Sequence, residues 1–169
     1  MNPHRQRHDP SKSLVGFLVG DVSYAVPIAS VREITNPLAI VELPHAPHAV
    51  AGVTDFRGEV IPVVDLRVRF GLTATVRTRR TKWIVVDVGD RAVALVVDGV
   101  TEVFGTGGVD LRPPPPLGTG EDVRGIAGVL TREKALVFVL ETTGVRQLTA
   151  AVATPAELGP ALFPPKGSP

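Results

Sequence analysis

The chain has no cysteine. Disulfides, thiol nucleophiles and cysteine-ligated metals are therefore excluded. Aromatic residues make up only 5%, with one Trp and one Tyr, so a core must be built from aliphatic side chains. Net charge is nearly absent, at +1. Phosphate binding needs a concentrated basic face. Only VRTRRTK (76–82) resembles one, and it reads as a solvated loop between strands, so no nucleic-acid partner is expected. No apolar run approaches the ~18–20 residues of a membrane span. The N-terminal MNPHRQRHDPSKS is polar and lacks the hydrophobic segment of a signal peptide. The expectation is a soluble, cytoplasmic protein with no direct membrane insertion.

What the chain does have is valine. Apolar residues reach 44% of 169 residues, enough for one compact domain or two small lobes sharing a core. Branched side chains suit a pleated surface. Strands are expected at residues 14–20, 22–28, 39–43, 51–57, 59–65, 82–88, 91–97, 100–104, 124–130 and 134–140. Gly20-Asp21 and Gly89-Asp90 read as hairpin turns. Helices are few and short. One is expected in ASVREI after Pro27, one in DLRVRF with Asp65 as N-cap and Gly71 as its stop, and one around residues 141–151. Residues 1–13 read as a disordered tail and residues 151–169 as a proline-rich one. Pro113–Pro116 reads as a stiff surface loop.

An internal repeat crosses the chain. VGDVSYAV (19–26) is echoed by VGDRAVAL (88–95), and VREI by VTEV, so that Glu33 matches Glu102 at the same offset of 69. AGV (51–53) recurs at 127–129, after a spacing lengthened by the proline segment. The repeat implies two similar lobes of about five short strands, over residues 14–81 and 82–150, with strand exchange between them left open. Small barrels would remove exposed strand edges. The expected fold class is all-β with a few short helices, arranged as two five-stranded barrel lobes side by side.

The stretch AGVTDFRGEVIPVVDLRVRFG (51–71) concentrates charge: Asp55, Glu59 and Asp65 with Arg57, Arg67 and Arg69. A hydrolase would need two of these carboxylates flanking a cleft, yet aromatic sugar platforms are missing. The structural reading has Arg57 paired with a nearby acid, Gly58 in a tight hairpin turn and Pro62 at an edge or bulge. HAPH (45–48), broken by proline, does not suggest converging metal ligands. No GxSxG elbow, GxxxxGK[ST] or strand-linked GxGxxG occurs. Neither catalysis nor a cofactor or metal is expected. Apolar surface remains. If VREI is a helical turn, Val31 and Ile34 share a face and either fill an inter-lobe core or line a groove for an amphipathic helix. A small-ligand regulatory barrel is the other open alternative.

The runs FLVGDVSYAVPIASVREI, LPHAPHAVAGVTDFRGEVIPVVDLRVRFG and VVDVGDRAVALVVDGVTEV together resemble the CheW-type chemotaxis coupling proteins, over about residues 14–150. The resemblance implies two SH3-like five-stranded barrels and an adaptor without catalysis. Its partners would be the cytoplasmic tip of a chemoreceptor and the regulatory domain of a CheA-type histidine kinase, in receptor arrays. Carried over by position, it implies receptor binding at Val31, Glu33, Ile34, Gly52, Val53 and Arg57, with Glu33 and Arg57 paired. It implies kinase binding at Ile40 and Val41, and a second array contact near Arg112 and Leu117. Asp55-Phe56 stands where family members often have Asn-Leu. That departure leaves open a divergent accessory protein that binds receptor and recruits kinase poorly.

Overall fold

A computed structural model describes residues 12–106, 111–114, 125–150 and 152. Among these residues the valine-rich runs form ten strands: β1 (Ser13–Val19), β2 (Val22–Pro27), β3 (Val31–Thr35), β4 (Val50–Phe56), β5 (Glu59–Asp65), β6 (Lys82–Asp87), β7 (Ala92–Val97), β8 (Gly99–Gly105), β9 (Ile126–Arg132) and β10 (Ala135–Leu140). Two short helices accompany them, α1 (Leu66–Arg69) and α2 (Thr142–Thr149). No described helix is long and apolar enough to cross a membrane.

The strands make two five-stranded mixed sheets, ordered β8-β1-β2-β10-β9 and β3-β6-β7-β5-β4. The repeat is visible in this order, since β1, β2, β8, β9 and β10 take the places of β6, β7, β3, β4 and β5. The contiguous lobes 14–81 and 82–150 are not the units of the fold. Each half gives its leading hairpin to the other half's sheet. The cause lies in the pairing: β2 lies parallel to β10, and β7 lies parallel to β5.

Period-2 alternation explains why the central strands read as unbroken apolar runs. On β6 and β7, Ile84, Val86, Val93, Leu95 and Val97 point into a core shared with β1, β2, β4 and β5. Their neighbours Trp83, Val85, Ala92, Ala94 and Val96 fill a second core with Phe56, Ile61 and Val63. Leu14, Ala25, Phe104, Leu130, Val137 and Val139 form the matching core of the other sheet. One core thus lies inside each lobe, and a larger one joins them.

Four local expectations need correction. Among the described residues, neither sheet closes into a barrel by a continuous ladder. Each is spanned by one isolated pair, Val41 with Val53 and Arg112 with Val129. The strand expected at 39–43 reduces to the single bridge at Val41, and the Ala39 carbonyl accepts from the Thr54 hydroxyl at 2.7 Å. The helix expected in ASVREI is one 3-10 turn, Ile28–Ser30, after which VREIT pairs with β6 as β3. Finally, Pro62 lies in β5, between β7 and β4, not at an edge, though the β4–β5 register shift at Val50/Gly52 falls one pair away. Val53 directs its own N–H and C=O to Val41, so the Val53–Pro62 pair is of the non-hydrogen-bonded kind. The parallel ladder with β7 begins only at Val63, so the missing donor of Pro62 breaks no bond.

The helix expected after Val64 is present. The Asp65 carboxylate accepts from the Arg67 backbone N–H at 3.0 Å, and Gly71 follows with φ +80°. Asp65 also accepts from the backbone N–H and hydroxyl of Thr75, each at 2.9 Å, which ties the following loop to the helix start.

Candidate docking surface

Most charges of residues 51–71 have structural partners. Asp55 accepts from the Gly58 backbone N–H at 2.8 Å and so closes the β4–β5 hairpin. Arg57 and Gly58 occupy that turn with φ of +51° and +85°. Arg32 joins Glu59 at 2.9 Å and also Asp87, which raises its guanidinium pKa, with the Asp87 hydrogen bond contributing most. Arg67 donates to Asp98 at 2.8 Å and to the Thr73 carbonyl at 2.9 Å. With Asp65 capping α1, each carboxylate of the stretch holds a turn, a helix end or an arginine.

The turn aims Arg57 across the sheet edge. Its Nε and Nη2 donate to Glu33 Oε2 and Oε1 at 2.8 and 2.7 Å, a bidentate pair. The guanidinium also lies 5.6 Å from the centre of the Phe56 ring. Arg57 remains 71% exposed. The hydrogen bonds from Arg57 hold the Glu33 carboxyl below its ordinary 4.5, and those to Glu33 raise the Arg57 pKa. A carboxylate lowered in the folded state contributes fully above 4.5 and loses that contribution as pH falls through the lowered value. An NMR titration of the Glu33 side-chain carboxyl is expected to show a midpoint below the ordinary glutamate value, which Arg57→Ala restores. An unchanged midpoint would mean that the pair does not persist in solution.

The residues expected at a receptor face divide into two kinds. Glu33 and Arg57 are paired at the surface, and Ile34 is 40% exposed on β3. Val31 instead packs against the joined core, and no helical face unites it with Ile34. Val53 is 1% exposed, so its side chain supports the face from below. Gly52 supports it too. A Cβ there would stand 2.2 Å from the Val41 carbonyl oxygen and 2.7 Å from Ile40 Cγ2. Only glycine lets β4 approach the 36–41 segment closely enough for the Val41–Val53 bridge, whose two hydrogen bonds measure 2.8 and 2.9 Å.

That bridge presents the expected kinase residues. Val41 is 38% exposed, while Ile40 is half-buried over the core that contains Phe56 and Trp83. Arg112 sits at the equivalent bridge of the other sheet and donates to Thr131 Oγ1 at 2.8 Å. Leu117 lies outside the described residues, as does part of the proline run.

Sequence reasoning missed a second pair. Arg132 donates to Glu102 at 3.1 and 3.0 Å and lies 4.3 Å from the centre of the Phe104 ring. It repeats Glu33–Arg57 in the other sheet. Gly128 repeats Gly52, since a Cβ there would meet the Arg112 carbonyl oxygen at 2.7 Å. The signal was present in the Glu33–Glu102 match of the repeat.

The comparisons agree with this geometry. The CheW-like domain model matches residues 13–148. The chain is 35% identical to "Chemotaxis protein CheW" of Rhizobium meliloti (strain 1021) over 134 residues, 79% of this chain and 86% of the relative. It is 31% identical to "Probable chemotaxis protein CheW" of Rhizobium etli over 130 residues, 77% of this chain and 84% of the relative. The crystal structure of the scaffolding protein TtCheW from Thermoanaerobacter tengcongensis superposes with a TM-score of 0.71 at 27% identity, covering 83% of this chain and 90% of that one. Motifs, topology and these matches together establish that the chain belongs to the CheW-like domain family.

Proposed function

We propose that the chain is an adaptor that couples chemoreceptors to a CheA-type histidine kinase, without a catalytic step of its own. The observation that carries this reading is the edge of the second sheet. There the 36–41 segment, held by Gly52, sets Val41 and Ile40 at the surface, and the Glu33–Arg57 pair and Ile34 mark an adjoining face. The receptor tip takes the face of Glu33, Ile34 and Arg57, with Val31, Gly52 and Val53 as its support. The kinase regulatory domain takes the Ile40–Val41 edge, and Arg112 and Leu117 belong to a second array contact. Recruitment to receptor arrays in the cytoplasm follows from the same reading.

A bridging assay tests it. With the cytoplasmic fragment of a chemoreceptor immobilised, the CheA-type kinase of the same organism is expected to be retained strongly only when this chain is added. Kinase retention that is indifferent to the chain would contradict coupling.

A further inference from the structure

Several arginines of the chain find acids. Arg32, Arg57, Arg67, Arg132 and Arg146 each pair with a carboxylate within 4.0 Å. The loop between α1 and β6 behaves differently. Arg77, Arg79, Arg80 and Lys82 have no carboxylate partner among the described residues. In a chain of net charge +1, this is a local segregation of positive charge.

The loop is also anchored. Thr78 and Thr81 build its turn: the Thr78 N–H donates to Thr81 Oγ1 at 2.9 Å, and the Arg80 N–H donates to Thr78 Oγ1 at 3.1 Å. Thr81 is buried, whereas Arg79 and Arg80 are exposed. Arg77 donates to the Leu38 carbonyl at 3.2 Å, and Lys82 donates to the side-chain oxygen of Asn36. Both acceptors are neutral, so among the described residues the positive charge is uncompensated. Both belong to the segment that leads into Ile40 and Val41. Arg77 and Lys82 therefore stand beside the segment of the expected kinase edge, and the exposed Arg79 and Arg80 occupy the turn between them, where Arg80 backs onto Gly99.

We propose that this basic loop is a docking patch for an acidic protein surface, and that the kinase domain seated on Ile40 and Val41 presents carboxylates to Arg77, Arg79, Arg80 and Lys82. The inference rests on the adaptor reading and adds the chemistry of the partner. An apolar contact bordered by opposite charges gains association rate and correct register from the charges, and the gain is screened by salt. The pinned turn reduces the ordering cost of binding. Residues 71–82 carry no aromatic side chain on which nucleic-acid bases would stack, which favours a protein partner.

Stopped-flow association of the full chain with the CheA-type kinase of the same organism, at low and high salt, tests the proposal. Arg79→Glu/Arg80→Glu is expected to slow association at low salt by about tenfold and to flatten its salt dependence. Arg79→Lys/Arg80→Lys should retain both. The neutral Arg79→Gln/Arg80→Gln, expected to fall between, serves if the reversed variant fails to fold by circular dichroism. If Ile40→Asp abolishes binding while charge reversal leaves rate and salt dependence unchanged, the patch is refuted and the adaptor reading stands. If the wild-type chain does not bind kinase at all, both are withdrawn. Charge reversal that weakens binding to anionic vesicles or duplex DNA, and leaves kinase association intact, also overturns the proposal.

Discussion

Gly52→Ala is expected to destabilise the fold by about 3 kcal/mol or more and to disrupt the expected kinase edge. Two costs combine. Gly52 has φ +146°, a conformation that L residues rarely adopt. Its new Cβ would also meet a backbone oxygen at 2.2 Å, and backbone yields less readily than the end of a flexible side chain. The Val41–Val53 bridge is the element most easily sacrificed, because no ladder continues beyond it. Gly58→Ala separates the two costs. Gly58 also has positive φ, +85°, but nothing lies within 4 Å of its missing Cβ. It should cost only about 1–2 kcal/mol. Thermal unfolding is expected to show a Tm fall of about 6–12 °C for Gly52→Ala. Equal, small shifts for the two variants would refute the close-approach argument.

Trp83→Ala carries the other large effect, about 3–5 kcal/mol. Trp83 is 1% exposed and lies with Phe56, Ile61 and Val85 in the core of the second lobe. Leu38 and Ile40 pack on the same core, so the cavity opens beneath the expected kinase edge. Urea unfolding should show the loss as a lowered midpoint with an unchanged slope. A loss below about 1 kcal/mol would mean that the lobe repacks and that its core is not as close-fitting as this structure has it. Because the cores are separate, residues in the other lobe should feel the change mainly through the joined core.

Much of this fold was legible in the sequence because strands buried on both faces are unbroken valine-rich runs, and β6 and β7 are of that kind. Helix α1 was legible because Asp65 and Gly71 are cap residues at the right separation. VREIT was misjudged for a physical reason. Val31 and Ile34 stand three apart, which fits a helical face, and only long-range pairing with β6 makes the segment a strand. The exchange of hairpins was left open by the sequence for a similar reason. An offset of 69 says which segments are equivalent, and nothing local says which of two equivalent partners β2 chooses. At the candidate site, the Glu33–Arg57 pair was anticipated from the family resemblance. The burial of Val53 was not, because one valine among several in a run carries no sign of which side faces the solvent. The close approach at Gly52 was not anticipated either, because nothing local to β4 says that the 36–41 segment packs against it.

The central claim is that one small chain carries two separable docking faces, and paired calorimetric titrations test it most directly. The wild-type chain, Ile34→Asp and Ile40→Asp would each be titrated with a chemoreceptor cytoplasmic tip and, separately, with the kinase regulatory domain from the same organism. Ile34 is the better receptor-face probe because it is exposed, whereas Val31 packs on the core. The account predicts that Ile34→Asp loses the receptor and keeps the kinase, and that Ile40→Asp does the reverse. Loss of both partners in both folded variants, or of neither in either, would contradict it.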